Sequence, residues 1–247
     1  MTQDRPSLFV MAGPNGSGKS TLTSYGVAGN RPVLDPDAVA ARLSPDDIRA
    51  GAVQAARETI RQQQELLDRR ESFAVETTLS GNRTLKLMDE AKARGYEVEL
   101  HYVRLGTPQG SIDRVAERVA RGGHDVPQED IVRRYERSLE NLPSAIEKAD
   151  KTTLYDNSGR RTEIVGHLDK EAFRFRDPPD WAVDASARAA RMMEEKAVTV
   201  EDREAAQMRS AEVAVAAGRM SEDDLRELQD FNEERDTDTD GTGGVRE

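Results

Sequence analysis

The sequence predicts an α/β fold built on a parallel sheet flanked by helices, and two observations carry that prediction. Short apolar runs alternate along the chain with longer stretches of helical periodicity, the pattern of strands joined by crossover helices. The first apolar run, Leu8-Phe9-Val10-Met11-Ala12, leads directly into Gly13-Pro14-Asn15-Gly16-Ser17-Gly18-Lys19-Ser20-Thr21, a glycine-rich turn that reads on into a helix.

The elements follow in order. A short helix over about 20–27 is ended by Gly26 or Gly29, and a brief second strand lies within Arg31-Pro32-Val33-Leu34-Asp35-Pro36-Asp37. A long helix is expected over 45–70, with Ser44 as its N-cap and Pro45 at its first position. The run 72–78 reads as a buried strand, 82–95 as a helix closed by Gly95, and 96–105 as another strand. A helix over 111–127 is interrupted at Gly122-Gly123, the next begins after Pro127, and 152–159 forms a late strand and turn. Beyond Asp177-Pro178-Pro179-Asp180 the chain becomes rich in Ala, Met, Glu and Arg, with Gly218 as a stop and a short helix from Ser221 to about Asn232. The expected organisation is a catalytic domain over 1–180, a helical extension over 181–235 and a disordered tail over 236–247.

Composition narrows the class. The 247 residues are 36% hydrophobic and 34% charged, enough for one core with a heavily solvated remainder. No cysteine is present, which excludes a disulfide framework and a thiolate metal site, and three scattered histidines make no zinc motif. No apolar run approaches the roughly 18 residues of a membrane span, so a soluble cytoplasmic protein is expected, with no membrane partner. A net charge of −11 argues against broad nucleic-acid binding, but it is unevenly spread: residues 221–247 hold 11 acidic and 3 basic side chains, a net of −8. A local site for an anion is compatible with the rest.

The glycine-rich turn has the spacing of a phosphate loop, which refines the fold to the P-loop NTPase/kinase class with a helical acidic C-terminal extension. Its glycines let backbone N–H groups point at phosphate oxygens, and the following helix N-terminus adds partial positive charge. Gly13, Asn15, Gly16, Ser17, Gly18, Lys19, Ser20 and Thr21 are the expected nucleotide-binding residues, with Lys19 on the β- and γ-phosphates and the Ser20 hydroxyl on Mg²⁺. The site is read as one for ATP or GTP; the guanine motif Asn-Lys-x-Asp of GTPase switches is absent, and the acidic strand ends with an arginine-rich helix-loop-helix point instead to a small-molecule kinase.

Acidic residues stand at two further strand ends. Asp37, just past the second strand, fits either a base for an acceptor hydroxyl or an N-cap for the helix starting at Ala38, for which Asp35 is equally eligible. Glu76 fits binding of a substrate hydroxyl, support of Mg²⁺, or a cap for the helix after Asn82, and Thr77 and Thr78 add hydroxyls beside it. Arg114, Arg118 and Arg121 share one helical face, and Arg133, Arg134 and Arg137 follow across the Gly-Gly-His hinge. Such arginines serve either as lid cations for a developing phosphoryl charge or as i,i+4 partners of Glu117, Glu129 and Asp130. Arg118 and Arg134 are the expected catalytic pair, and His124 in the hinge is placed to touch substrate.

Taken together, the phosphate loop, Asp-Pro-Asp at 35–37, Glu-Thr-Thr at 76–78, the strand 95–105, the arginine-rich stretch 114–142 and Leu-Tyr-Asp-Asn-Ser-Gly at 154–159 resemble the zeta toxin family of P-loop kinases over roughly 7–158. That resemblance implies phosphorylation of an amino-sugar hydroxyl of UDP-N-acetylglucosamine with ATP and Mg²⁺, and an antitoxin partner. By the same resemblance Asp37 is the base, Glu76 and Thr77 bind the sugar nucleotide, Arg118 contacts the γ-phosphate, and Asn157 borders the adenine. The chain departs from the family pattern where a second lid arginine precedes the proline: it has His124 in a shorter segment, which leaves Arg121, Arg133 or Arg134 for that charge. The departure keeps open a dinucleotide or other nucleotide-like acceptor, and a nucleotide-dependent binding module is the reading from another class. Complementary charge also suggests that the C-terminal helices fold over the lid and inhibit in cis.

Overall fold

In the computed structural model, which describes residues 5–36, 39–40 and 48–239, β1 (Ser7–Ala12) is buried along its whole length. It lies between β3 (Phe73–Thr77) and β4 (Glu97–Arg104), pairing parallel with both. Burial on both faces and both edges explains why this strand is a continuous apolar run and not an alternating one. Parallel pairings add β2 (Val33–Leu34) beyond β3 and β5 (Lys151–Asp156) beyond β4. The sequence did not single out β6 (Glu163–Asp169) and β7 (Phe173–Phe175), which extend the sheet antiparallel to the order β2-β3-β1-β4-β5-β6-β7. These short strands mix exposed charged residues with single buried ones, so their pairing comes from the edge of β5 and not from a strong local pattern.

The helices are α1 (Lys19–Ser24), α2 (Ile48–Arg69), α3 (Arg83–Ala93), α4 (Pro108–Ala120), α5 (Gln128–Lys148), α6 (Asp180–Lys196), α7 (Val200–Ala216) and α8 (Glu222–Thr239). The expected Ser44 cap and Pro45 start of α2 lie outside the described residues. Helix α4 begins earlier than its periodicity suggested, because the Thr107 side chain accepts from the Gly110 N–H and Pro108 occupies the first turn. Helix α8 runs on to Thr239, where the sequence suggested an end near Asn232.

The core is lopsided. One sheet face carries Leu8, Val10, Phe73, Val75, Leu100 and Tyr102, covered by Leu67 of α2, Met88 of α3, Leu142 and Ile146 of α5, and Val213 of α7. Helix α6 joins this cluster through Ala182, Ala185, Ala189 and Ala190, small residues that let it lie close against its neighbours. Trp181 at its start tilts onto the Tyr102 ring, at 5.7 Å between centroids. The opposite face has a smaller cluster of Phe9, Met11, Ala74, Val103 and Tyr155 under Ala28 and Leu22.

On that thinner face His101 stacks on Phe9 at 4.4 Å, and its Nδ1 and the Tyr155 hydroxyl form a 2.9 Å hydrogen bond. Burial, with Arg31 and His167 nearby, pushes the His101 pKa down to about 4, so the folded state keeps a neutral imidazole where the unfolded chain takes up a proton. Stability from this residue is therefore present above the unfolded value near 6.5 and is lost as pH falls toward 4. Urea unfolding should show His101 costing about 2 kcal/mol of stability between pH 7 and pH 5. His101→Phe, which keeps the stack, should flatten that part of the profile.

Candidate active site

The crevice forms at the carboxyl edge of the sheet between β1 and β4. The chain leaves β1 toward β2 on one side and leaves β4 toward β5 on the other, and such a divergence is where open α/β sheets bind ligands. The phosphate loop follows β1, and the α4–α5 hairpin follows β4. Gly13, at φ 144°, is pressed so close to β4 that a Cβ there would stand 2.1 Å from the Val103 carbonyl oxygen. Its N–H donates to the Thr77 carbonyl of β3 at 3.2 Å, so both neighbouring strands hold the loop. At the loop tip a Cβ on Gly16 would meet the Ser111 carbonyl of α4 at 2.7 Å. Only a chain without side chains at these points can pass.

A cavity of about 720 Å³ opens above the loop, lined by Asn15, Gly16, Gly18, Lys19, Ser20 and Thr21 on one side. Glu76, Thr77, Thr78 and Ser80 come from the end of β3, and Arg114, Arg118, Arg121 and Arg134 from the α4–α5 hairpin. Residues separated by more than a hundred positions thus meet in one crevice. Lys19 Nζ donates to the Gly13 and Pro14 carbonyls at 2.8 and 2.9 Å, folded back across its own loop. The Ser20 hydroxyl donates to Glu76 Oε2 at 2.9 Å. A hydroxyl and a nearly buried carboxylate side by side are hard oxygen donors of the kind Mg²⁺ takes, and together with the glycine cradle they fit a metal-bound nucleotide.

The arginines are tethered to backbone oxygens. Arg114 donates to the Asn157 carbonyl at 2.8 Å and Arg118 to the His124 carbonyl at 2.7 Å. Arg134 reaches Asn15 Oδ1 at 3.5 Å and Asp130 at 3.9 Å, while Arg121 pairs with Glu117 at 4.0 Å. Arg133 pairs with Asp130 at 2.7 Å and does not line the cavity. His124 likewise contributes its carbonyl to Arg118 and is not in the lining. Asp37 lies outside the described residues, while Asp35 and Pro36 line the cavity.

Two features were not legible in advance. Arg114, noted only as part of a helical face, both lines the cavity and ties α4 to the turn after β5. The loop after β3 holds Leu79 at φ 55°, an uncommon conformation for a leucine, with its side chain fully buried and its carbonyl accepting from Asn141 at 2.9 Å. No sequence signal marks either contact, since both depend on elements that meet only in the fold.

Helices α7 and α8 contribute no residue to the lining; α7 packs on α6 and β7, and α8 on α7. Among the described residues, the expected fold-back of these helices over the lid is therefore not found. Their apolar contacts lie at the far edge of the sheet, and Arg209 and Glu212 of α7 bond the Lys170 carbonyl and the Phe173 N–H. No helix of the described residues is long and apolar enough to cross a membrane.

Comparison with known proteins agrees with this architecture. The family model described as Zeta toxin matches residues 1–165. An uncharacterized protein of Haemophilus influenzae is 33% identical over 138 residues, covering 53% of this chain and 99% of its own length. Among solved structures, the AvrRxo1-ORF1:-ORF2 crystal structure with ATP superimposes with a TM-score of 0.60 at 15% identity, over 86% of this chain and 80% of that one. The structure from the PezAT chromosomal toxin-antitoxin system of Streptococcus pneumoniae gives 0.52 at 15% identity, over 88% and 89%. At such identities these two structures speak for the fold.

Asn157 supports the loop from below. Its Nδ2 donates to the Ser17 carbonyl at 2.8 Å, its Oδ1 accepts from Thr162 at 2.9 Å, and a Cβ on Gly18 would stand 2.6 Å from the amide nitrogen. Asn157→Ala should leave the fold intact and weaken ATP binding about tenfold, the loss of one well-placed hydrogen bond, as read by calorimetry.

Proposed function

This chain belongs to the zeta toxin family, and on that premise we propose that it is an ATP-dependent kinase that transfers the γ-phosphate to a sugar hydroxyl of UDP-N-acetylglucosamine. The observation that carries the reading is the convergence in one cavity of the phosphate loop, the Ser20–Glu76 pair and the hairpin arginines. Phosphoryl transfer needs positioning and charge stabilisation more than covalent chemistry, and this is what such a set of groups supplies.

For the described residues, the positions of the side chains support the following roles; that of Asp37 rests on the family resemblance alone. Lys19 exchanges its bonds to the Gly13 and Pro14 carbonyls for phosphate oxygens. Arg118 and Arg134, held only by a backbone carbonyl and by long contacts, turn toward the transferring group, with Arg121 exposed beside them. Glu76, Thr77 and Thr78 hold the acceptor, and Asp37 takes the proton of its hydroxyl. Ser20 with Glu76 would hold Mg²⁺, which when bound neutralises phosphate charge.

The solved relatives support a partner as well. One is a two-component AvrRxo1-ORF1:-ORF2 complex and another comes from a toxin-antitoxin system. We accordingly propose a toxin restrained by a separate antitoxin protein. A dinucleotide or similar metabolite is the alternative acceptor, favoured by the lid departure at His124.

Incubation with ATP, Mg²⁺ and UDP-N-acetylglucosamine should yield a phosphorylated sugar nucleotide detectable by mass spectrometry. Lys19→Ala and Asp37→Ala should each reduce its rate of formation by about 10²–10⁴-fold. No product from the wild-type protein would exclude this acceptor.

A further inference from the structure

Arg104, the last residue of β4, carries a buried charge that no described residue answers. It is 7% exposed, and its Nε donates to the Tyr135 hydroxyl at 3.0 Å. Its Nη1 is buried without a hydrogen-bond partner, and among the described residues no carboxylate stands within ion-pair distance of the guanidinium. The carboxylate beside it in register, Asp156 of β5, is engaged through Oδ1 by the Ser158 N–H and hydroxyl. A second buried donor without a partner sits on the side chain that approaches Arg104 from α6. It is Trp181 Nε1, on a ring whose centroid lies 5.7 Å from the guanidinium carbon. The Tyr135 ring attracts the cation through its face at 4.3 Å, but a ring face gives the N–H edge no acceptor. The neighbouring phenols supply no negative charge: burial pushes the Tyr102 hydroxyl up to about 12 and raises that of Tyr135 as well. A buried cation without a counter-charge is among the costliest arrangements in a protein interior, and a second open donor beside it adds to the cost.

We infer that Arg104 Nη1 and Trp181 Nε1 together hold a small monovalent anion of the halide type, bound where β4, α5 and α6 meet. Both groups are donors only, so they cannot satisfy one another and attract the same acceptor. One guanidinium calls for one negative charge. The Tyr102, Tyr135 and Trp181 rings around it select a weakly hydrated ion, because the cost of desolvation rises with the square of the charge and weighs against phosphate and sulfate. The ion fastens the head of α6 to the end of the strand from which the α4–α5 hairpin departs. Neither residue lines the main cavity, so the inference is independent of the proposed acceptor.

Trp181 is the only tryptophan of the chain, so its emission reports this place alone. The test titrates full-length protein with sodium bromide, a heavy-atom quencher, at an ionic strength held constant with sodium gluconate, whose anion is too large to enter. Two hydrogen bonds to an ion correspond to a saturable quench with its midpoint on the order of 1–10 mM, and chloride should compete with it. Chloride at about tenfold its midpoint should also raise the thermal midpoint over gluconate by about 3–5 °C. Arg104→Met, which keeps the stem and removes the charge, should leave only linear quenching. Trp181→Phe, which keeps a ring and removes the donor, should require about tenfold more chloride for the same thermal shift. In bromide-soaked crystals an anomalous peak should touch both donor atoms. Linear quenching without chloride competition in the wild type, equal thermal midpoints in chloride and gluconate, or a chloride response unchanged in Trp181→Phe each overturns the inference. So does a crystal peak with no saturable signal in solution, which marks an adventitious ion only. Should Arg104→Met fail to fold, the wild-type titration and Trp181→Phe decide.

Discussion

The carbonyl of Val103 lies where a side chain at position 13 would have to be, and much of the site depends on that close approach. It sets the phosphate loop directly on β4, while the Gly13 N–H ties the same point to Thr77 of β3. A loop held from both sides by a buried sheet has little freedom left, so its N–H groups are aimed before any ligand arrives. The α4–α5 hairpin starts from the end of the same strand that supports the loop, and Gly16 touches α4 at Ser111. Loop and arginines therefore share one rigid frame.

Arg104, the last residue of β4, extends that frame to α5. It is buried, its Nε donates to the Tyr135 hydroxyl at 3.0 Å, and its guanidinium lies 4.3 Å from the Tyr135 ring centroid. The same hydroxyl donates to the Leu105 carbonyl at 2.7 Å, so a single tyrosine of α5 is fixed to the end of the strand by two polar contacts and a stacked cation. Trp181 at the head of α6 approaches the other side, with its ring centroid 5.7 Å from the guanidinium. Among the described residues of the C-terminal part, Trp181 packs against this frame and none lines the cavity.

Within the cavity the cationic side chains outnumber the carboxylates, five to three among the described lining residues. Two of these arginines are bound to backbone carbonyls, which orient a guanidinium without cancelling its charge. Such contacts exchange readily for stronger ones to phosphate. The carboxylates are set apart by position: Glu76 is engaged by Ser20, Glu117 pairs with Arg121, and Asp35 stands just past the end of β2. A charge pattern of this kind favours an anion at the loop and a polar, uncharged group next to it.

How much of this the amino-acid sequence contains depends on how local each feature is. The strand-loop-helix around Gly13 to Thr21, the helix ended by Gly95 and the break at Gly122-Gly123 are written in adjacent residues, because backbone conformation and capping are decided within a few positions. Lys19, Ser20, Glu76, Arg118 and Arg134 could be named for the same reason: each stands at a strand end or on a helical face that its neighbours define, and all of them line the cavity. The antiparallel β6 and β7, the strained Leu79, the tether from Arg114 to Asn157 and the approach of Trp181 to Arg104 could not be named. Each is determined by a partner distant in sequence, the edge of β5, Asn141, the turn after β5, or the end of β4. The sequence by itself determined the order of elements and the chemistry available at the carboxyl edge. Only the tertiary structure decided which of those groups meet, because side chains dozens of residues apart come into register through the packing of the sheet and its helices.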